Sequence, residues 1–301
     1  MHRVSNTWWL AGSAAALGLT LLAHDAYAAS VVDLVAIAAL TAASFRFVML
    51  IGEVSFATSA FVAIGAYGAG VATTLLDWPF LLAMLLGPVV VLGVSIAFGL
   101  ITLRVKGPYF MLIGFAFAEA VRIMLSKITV IGGNSGMTGI FPPQMLDPLM
   151  STFVMAVVIA AIYALYRAEM SDFGKVLVAI RNNENIVLTV GVNVLFCKVA
   201  CFAIASFCAG IAGSLMAFVN NVISPGDFNY LLSSMALAYV KVGGESSIFG
   251  AIGGAIVLVL LGSYALGLGA GEQIFYGGAI VLAVLLMPQG LVGLIARWRG
   301  R

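Results

Sequence analysis

Two ionisable residues lie in the interior of an apolar segment, where charged side chains need an explanation. Glu119 and Arg122 lie three positions apart, so they share one face of a helix and can form an ion pair. Ionised side chains are costly inside a bilayer, so they usually pair with one another or line the path of a polar solute. The spacing favours a structural ion pair, and a place on a solute path is the alternative.

Enzyme chemistry finds no support in the sequence. There is no HExxH or GxSxG pattern, and no lysine follows a glycine-rich phosphate loop. Cys197, Cys201 and Cys208 share roughly one helix face, but the two histidines of the chain, His2 and His24, are far away in sequence. We therefore interpret the cysteines as packing residues. We expect a protein that is not an enzyme and holds no metal or cofactor of its own.

The composition indicates what surrounds these side chains. The 301 residues are 63% hydrophobic and 9% charged, with a mean hydropathy of +1.15, far above that of soluble domains. Uncharged runs such as 80–103, 148–166 and 246–271 are long enough to cross a hydrocarbon core of about 30 Å. Such runs favour helices over the short alternating strands of a barrel. The sequence thus predicts an all-α, polytopic transmembrane helix bundle, and its net charge of +2 does not indicate nucleic-acid binding.

About ten spans are predicted from apolar windows and turn residues, with eight to ten compatible with the pattern. They lie near 8–24, 31–50, 55–76, 80–103, 108–126, 149–167, 198–219, 229–242, 248–268 and 274–295. The eighth is short and precedes GGESS, so a broken or re-entrant helix is an alternative there. AYAAS at 26–30 resembles a signal-peptide cleavage site, but another span follows directly, so we favour an uncleaved first span.

Basic residues indicate the orientation of these spans. Ten of them fall on one side of the ten-span arrangement: Arg3, Arg104, Lys106, Arg167, Lys175, Arg181, Lys198, Arg297, Arg299 and Arg301. The other side has one base and five acids: Asp25, Asp77, Lys127, Asp147, Asp227 and Glu272. By the positive-inside rule, both termini and the segment 168–197 are cytoplasmic. Arg46 and Glu53 flank the cytoplasmic end of the second span, where we expect them to reach the interface.

Glycine and other small residues recur four positions apart within the predicted spans. Such rows allow helix backbones to approach closely in a bilayer. The pairs are Gly65 and Ala69, Ala66 and Gly70, Ser206 and Gly210, Ala209 and Gly213, and Gly250 and Gly254. The sequence therefore predicts a tightly packed bundle.

Within 168–197, two short amphipathic helices are predicted. The first runs from about Asp172 to Arg181, and Asn182 and Asn183 interrupt it as capping and turn residues. The second begins near Glu184 and ends before a glycine at 191. The apolar faces of both helices need a surface, which is either the membrane or another protein; periodicity alone favours the membrane.

The outer connection 127–147 contains VIGGNSGMTGIFPP. Gly132, Gly133 and Asn134 could shape a docking surface or a gate on the outer side. An ordinary flexible connection is the simpler interpretation, and composition favours it.

Six segments in order resemble the LivM-type permease subunits of branched-chain amino-acid ABC importers, a family that also serves urea and short amides. The resemblance covers roughly 39–296. The segments are GEVSFATSAFVAIGAY (52–67), LRVKGPYFMLIGFAFAE (103–119), IGGNSGMTGI (131–140), the 42 residues of 174–215, ISPGDFNYLLSSMALAYVKVGG (223–244) and MPQGLVGL (287–294). One such motif is weak evidence, whereas six in order are specific.

The resemblance implies a single transmembrane permease domain over 1–301, with 168–197 as a cytoplasmic coupling loop that docks on an ATP-binding subunit. The positions that match the loop motif are Gly174, Arg181, Glu184, Asn185, Gly191 and Asn193. It also implies two ATP-binding subunits that hold ATP and Mg²⁺, a second related permease, a periplasmic solute-binding protein and the bacterial inner membrane. Membrane lipid is the remaining expected partner.

Several positions depart from the family pattern near the start of the third span. Glu53 stands for a usual glutamine, Ala57 and Thr58 for glycine and histidine, and Arg46 for a frequent asparagine. The departures put the substrate in doubt more than the family. We expect a small solute, either a branched-chain amino acid or a related amino acid, amide or carboxylate. The residues expected on its path are Glu53, Ser55, Thr58, Glu119 and Arg122.

A stand-alone secondary transporter or channel is the alternative from another class. The sequence lacks the chain of intramembrane acids expected of a proton relay, which argues against this alternative.

Overall fold

A computed structural model describes residues 26–143 and 149–267, together with the single positions 18, 146, 277, 278 and 290. Within these residues the chain forms ten α-helices and one pair of two-residue strands. The helices are α1 Ala26–Met49, α2 Thr58–Thr74, α3 Phe80–Thr102, α4 Pro108–Lys127, α5 Met150–Met170, α6 Asp172–Asn182, α7 Glu184–Thr189, α8 Val194–Asn220, α9 Tyr230–Gly243 and α10 Ile248–Gly267. The strands are β1 Met137–Thr138 and β2 Val222–Ile223, which pair antiparallel.

Eight of the predicted spans fall in the described part of the chain, and each coincides with a helix. Of these helices, α1, α3, α4, α5 and α8 are long and apolar enough to cross a membrane. The pair α9–α10 counts as a sixth crossing if it is taken as one broken span. The predicted spans 8–24 and 274–295 lie outside the described residues, so the total of ten and the cytoplasmic termini stay predictions.

The eighth predicted span is short, as expected. Helix α9 has 14 residues, which corresponds to about 21 Å and falls short of a hydrocarbon core of about 30 Å. Residues 244–247 then break the helix, and α10 leaves at an angle of 112°. Gly244, at φ +110°, occupies a conformation that other residues rarely adopt. A broken or re-entrant arrangement remains compatible with this geometry.

Proline and asparagine residues mark the helix ends. Pro79 precedes α3, and Pro108 is the first residue of α4, where its missing N–H is not needed. The side chain of Asn193 accepts a hydrogen bond from the backbone N–H of Phe196 and so caps α8. Local sequence therefore defines where several helices begin.

Helices α2 and α8 form the centre of the bundle and meet through glycines. A methyl group on Gly65 of α2 would lie 2.3 Å from the carbonyl oxygen of Gly210 on α8. One on Gly213 would lie 2.0 Å from the carbonyl oxygen of Val62. Helices α9 and α10 pack in the same way, since a methyl on Gly254 of α10 would lie 1.9 Å from the carbonyl oxygen of Tyr239 on α9. The predicted close packing through small residues is confirmed at these crossings.

The two ends of the bundle differ in chemistry. The strands β1 and β2 lie at one end, called here the sheet end, where the Ser151 hydroxyl also donates to Asp33 and ties α5 to α1. The opposite end, called the basic end, carries Lys106, Lys198 and the helices α6 and α7. The helices of the predicted loop and two lysines that pair with it therefore lie at one end.

Candidate functional site

Helix α6 is held against the end of α5. A methyl group on Gly174 would lie 1.9 Å from the carbonyl oxygen of Glu169, so only glycine allows this contact. Leu177 and Ile180 on the apolar face are buried inside the chain. The expectation that this face rests on a membrane or another protein is therefore wrong for α6, because the chain itself covers it.

The break between the two short helices lies where the asparagines predict it. Helix α6 ends at Asn182, and the side chain of Asn183 accepts from the backbone N–H groups of Asn185 and Ile186 to cap α7. After α7, Gly191 turns the chain at φ +83°, a left-handed conformation suited to glycine. These caps fix the direction of α7 relative to the bundle.

Helix α7 leaves most of its apolar side chains uncovered. Val187 is buried, whereas Ile186, Leu188 and Val190 are 61%, 52% and 76% exposed. We call these three exposed residues, of which Val190 follows directly after the helix, the α7 apolar patch. Large apolar side chains that are exposed at a charged end of a membrane protein rest either on another protein or on the membrane surface. The apolar surface that needs a partner is therefore on α7, not on α6.

Glu184 connects α7 to two other segments of the basic end. Its carboxylate lies 2.5 Å from the Lys106 ammonium, in the α3–α4 connection, and 3.1 Å from that of Lys198 on α8. Burial acts to raise the pKa of Glu184, but the hydrogen bonds and charges of the two lysines outweigh it and lower the pKa. The carboxylate is thus held ionised at the point where α7 begins.

Arg181, at the end of α6, faces the break between α9 and α10. Its guanidinium lies 3.8 Å from the carboxylate of Glu245, which also pairs with Lys241. The stem of Arg181 packs over Gly52, because a methyl there would be 3.3 Å from Arg181 Cγ. The two charges that the motif singled out, at 181 and 184, therefore bind within the chain itself.

A buried ion pair that the sequence did not indicate joins α1, α5 and the break between α9 and α10. Both terminal nitrogens of Arg46 donate to the Glu169 carboxylate at 2.8 Å, and Nε donates to the carbonyl oxygen of Glu245 at 2.9 Å. Arg46 is 2% exposed. The expectation that Arg46 reaches the interface is wrong, because its guanidinium finds three buried acceptors instead.

Glu53, expected on the solute path, also lies at the basic end. Its carboxylate accepts from the backbone N–H of Gly107, where α4 begins. Burial raises the pKa of Glu53, while this hydrogen bond and the charges of Lys198 and Lys106 oppose the rise. We expected Glu53 to reach the interface. It is instead buried within the protein, with 7% of the residue exposed.

Ser55 and Thr58 are buried beside the start of α2. The Thr58 hydroxyl donates to the carbonyl oxygen of Ser55, and no partner within the described residues is found for the Ser55 hydroxyl. Thr58 also borders a narrow, mostly apolar crevice between α1, α2 and α8, together with Ser44, Phe61 and Ser206. Their role on a path stays a prediction.

Glu119 and Arg122 form the predicted ion pair in α4. Arg122 Nε donates to Glu119 at 2.8 Å, and the two side chains are 25% and 33% exposed. No hydrogen bond among the described residues joins this pair to Glu53, Ser55 or Thr58. The five expected path residues thus divide into two separate groups.

The predicted outer loop is shaped by glycines at the sheet end. Gly132 and Gly133 have positive φ angles of 85° and 54°, in two short 3-10 turns that also contain the exposed Asn134. A methyl on Gly136 would lie 2.2 Å from the carbonyl oxygen of Ile223 in β2. The connection is therefore tied to the end of α8 rather than loosely attached, which leaves a docking or gating role as a prediction.

Sequence analysis missed Glu169 as the partner of Arg46, and it missed Lys106, Lys198 and Glu245 as partners of the loop. Glu169 lies within the loop and Lys198 directly follows it, so their charges could have marked them as candidates for ion pairs. Glu245 lies 64 residues from Arg181 in sequence, and no local pattern indicates that they meet. In the described part of the chain, no group of three His, Cys, Asp or Glu residues could hold a metal ion.

The fold and the site together define a class, namely a helical membrane protein with several apolar crossings, a glycine-packed core and a helical segment at its basic end. Residues 27–287 match the family described as branched-chain amino acid transport system / permease component. The chain belongs to this family of transport-system permeases.

Two relatives carry the name high-affinity branched-chain amino acid transport system permease protein LivM, from Salmonella typhimurium strain LT2 and Escherichia coli strain K12. Each is 26% identical to the chain over 262 residues, which covers 77% of this chain and 62% of the relative. The chain therefore matches less than two thirds of the length of these relatives. No solved structure matches the chain significantly.

Proposed function

We propose that this protein is the permease subunit of an ATP-binding-cassette importer, which passes a small solute from the periplasm to the cytoplasm across the bacterial inner membrane. Family membership supports the transport role. The α7 apolar patch is the observation that carries the ATP-driven part, because it offers a second protein a contact beside ion pairs that reach three other segments.

The proposal includes the partners that this surface requires. Two separate subunits bind ATP and Mg²⁺, one of them docks on α7, and this chain itself holds no cofactor and catalyses no reaction. A second, related permease completes the pore, and a periplasmic solute-binding protein delivers the solute at the sheet end. The basic end and both termini are then cytoplasmic, in a bundle of about ten spans.

The ion pairs give the coupling loop a route into the bundle. A push on α7 acts through Glu184 on Lys106, next to the start of α4, and on Lys198 in α8. A push on α6 acts through Arg181 on Glu245, at the break between α9 and α10. Closure of the ATP-binding subunits would therefore move the helices α4, α8 and α10 and alternate access to the solute.

The solute is most simply a branched-chain amino acid, because both relatives are named as permeases of branched-chain amino acid transport systems. A related amino acid, amide or carboxylate is the alternative, because residues 46, 53, 57 and 58 depart from the family pattern. The bound solute is selected first by the binding protein, so calorimetry on that partner identifies it most directly.

The docking role is tested by placing a charge in the α7 apolar patch. We expect Leu188→Asp to abolish co-purification with the ATP-binding subunits, because it buries a carboxylate in an apolar contact. Val130→Asp is the matched control, since Val130 is 71% exposed near the sheet end and should leave co-purification unchanged. Full co-purification of the Leu188→Asp variant would overturn the docking role of α7.

The alternative is a stand-alone secondary transporter or channel for a small organic solute. It would need no docking surface on α7, and Leu188→Asp would then leave uptake unchanged.

A further inference from the structure

Lys198 is a buried cation at the beginning of a central helix. It is the fifth residue of α8 and is 3% exposed, and its ammonium donates to the Glu184 carboxylate at 3.1 Å. A buried ammonium without a partner is costly, because burial removes the water that would otherwise solvate its charge. Any movement that takes Glu184 away must therefore provide another partner for Lys198.

Glu184 lies on the helix of the basic end that is attached least firmly. The structure describes all six residues of α7, and only Val187 is buried among them. The Glu184 side chain is partly exposed, and its second partner, Lys106, is exposed. Segments with few buried apolar contacts open first. Glu184 is therefore the partner that Lys198 loses when α7 moves away from the bundle.

Glu53 is a second carboxylate beside the same ammonium. It is buried in the connection between α1 and α2, and it accepts from the backbone N–H of Gly107 at 3.0 Å. Burial raises the pKa of Glu53, while the Gly107 hydrogen bond and the charge of Lys198 lower it. A carboxylate has about four acceptor sites, so the bond from Gly107 leaves room for an ammonium group.

Glu184 and Glu53 also hold the α3–α4 connection from two sides. Glu184 pairs with the Lys106 ammonium at 2.5 Å, and Glu53 binds the backbone of the next residue, Gly107. When α7 moves away, the first of these contacts breaks and the second remains. The beginning of α4 then stays attached to the connection before α2.

We propose that Glu184, Lys198 and Glu53 form a two-position latch. Lys198 pairs with Glu184 in this structure and holds α7 on the bundle; when α7 moves away, the ammonium turns to Glu53 and stays paired. The latch allows α7 to move without leaving a buried charge alone. It goes beyond the proposed function, because it describes a movement of this chain that needs no ATP-binding subunit.

Charge balance supports this exchange of partners. With α7 in place, the carboxylates of Glu53 and Glu184 lie among the ammonium groups of Lys106 and Lys198, so the group is neutral. When Glu184 leaves, water solvates the exposed Lys106, and Glu53 and Lys198 remain as a neutral buried pair. Without the charge of Glu53, the Lys198 ammonium would be buried alone at this stage.

The test is a double-mutant cycle on the whole chain, purified in detergent without other subunits. Glu53→Gln keeps an acceptor for the Gly107 N–H and leaves Glu184 to hold the ammonium, whereas Glu184→Gln leaves Glu53 to hold it. Each single variant should lower the unfolding temperature by less than about 2 °C, and the double variant by about 6 °C or more. Single effects that simply add would contradict the latch.

Labelling of lysine amines reports on Lys198 itself. In the wild type, acylation measured by mass spectrometry should be fast at the exposed Lys106 and slow at Lys198. Lys198 should stay slow in both single variants and react about tenfold faster or more in the double variant, because an ammonium without a carboxylate turns toward water. Fast labelling of Lys198 in Glu184→Gln alone would show that Glu53 does not take over, and would overturn the inference.

Two further variants distinguish the latch from a general loss of stability. Adding Lys198→Met to the double variant should restore most of the unfolding temperature, because no charge is then buried alone. Asp172→Asn is the matched control, since it removes a carboxylate from an exposed pair at the same end, and with Glu184→Gln it should add less than about 1 °C. A double variant that Lys198→Met does not rescue would contradict the latch, because its defect would then lie elsewhere.

Discussion

At the scale of single residues, the sequence indicates which charges matter better than it indicates their partners. The spacing of Glu119 and Arg122 predicts their ion pair, and the structure confirms it. Arg46, however, binds Glu169 and Glu245, which lie 123 and 199 residues away in the chain. No local pattern reports such contacts, because they depend on how whole helices pack.

Removing one partner of the buried Arg46–Glu169 pair should be strongly destabilising. We expect Arg46→Met to cost about 3–5 kcal/mol, because it leaves the Glu169 carboxylate buried without its partner. Thermal unfolding of the detergent-solubilised protein, followed as loss of the monodisperse peak in size-exclusion chromatography, measures the change.

Two further variants make this prediction specific. Arg46→Met with Glu169→Leu should recover much of the lost stability, since no charge is then buried. Lys175→Gln, which breaks the exposed pair with Asp172, should change the unfolding temperature little. An Arg46→Met variant as stable as Lys175→Gln would contradict the account.

The attachment of α7 should weaken only at acid pH. The pKa of Glu184 is lowered below its ordinary value of 4.5 in the folded protein. A carboxyl of this kind contributes its full stability above its unfolded pKa and loses it as pH falls through the lower folded pKa. Hydrogen exchange of the α7 amides, corrected for intrinsic rates, should therefore be constant from about pH 8 to 5 and faster below about pH 4.

Glu184→Gln provides the control for this pH profile. The α7 amides of this variant should exchange faster than in the wild type at neutral pH and show no acid transition. A wild-type transition near pH 6, or a variant with the wild-type profile, would show that the lysine pairs of Glu184 do not hold α7.

At the scale of helices, the composition predicts well where each helix lies in the sequence, but it predicts less well what each helix packs against. All eight predicted spans within the described residues are helices, because long apolar runs between breaking residues allow little else. The apolar face of α6 gave a wrong expectation, because an amphipathic pattern indicates that a face is covered but not what covers it. The structure shows that α6 packs on its own bundle, whereas α7 exposes its patch.

The glycine contacts between central helices should tolerate no added methyl group. Gly65→Ala would place its Cβ 2.3 Å from the carbonyl oxygen of Gly210, so α2 and α8 would have to separate. We expect a loss of about 1–3 kcal/mol, measured by thermal unfolding in detergent.

Gly93→Ala, in α3, is the matched control for this contact. No atom lies within 4 Å of an added methyl there, so the helix should gain about 0.5–1 kcal/mol from the lower flexibility of alanine. Equal unfolding temperatures for the Gly65→Ala and Gly93→Ala variants would show that the close approach of α2 and α8 carries no stability.

At the scale of the whole molecule, the ion pairs of the predicted loop lie together at the basic end of the bundle. The ion pairs of Arg181 and Glu184 join the loop to segments that lead into α4, α8 and α10. Motif order predicted the loop and its key positions, while its connections required the three-dimensional structure. Helix α4 begins beside Lys106 and carries the Glu119–Arg122 pair, so one helix links the proposed coupling contact to two of the residues expected on the solute path.

The central claim is that separate ATP-binding subunits drive transport through this chain. The most direct measurement is uptake of labelled L-leucine and L-phenylalanine by proteoliposomes, with ATP or with an ion gradient as the energy source. The account predicts uptake only when the ATP-binding subunits, the second permease, the binding protein and ATP are all present. Uptake by this chain alone, driven by an ion gradient and unchanged by ATP, would contradict it.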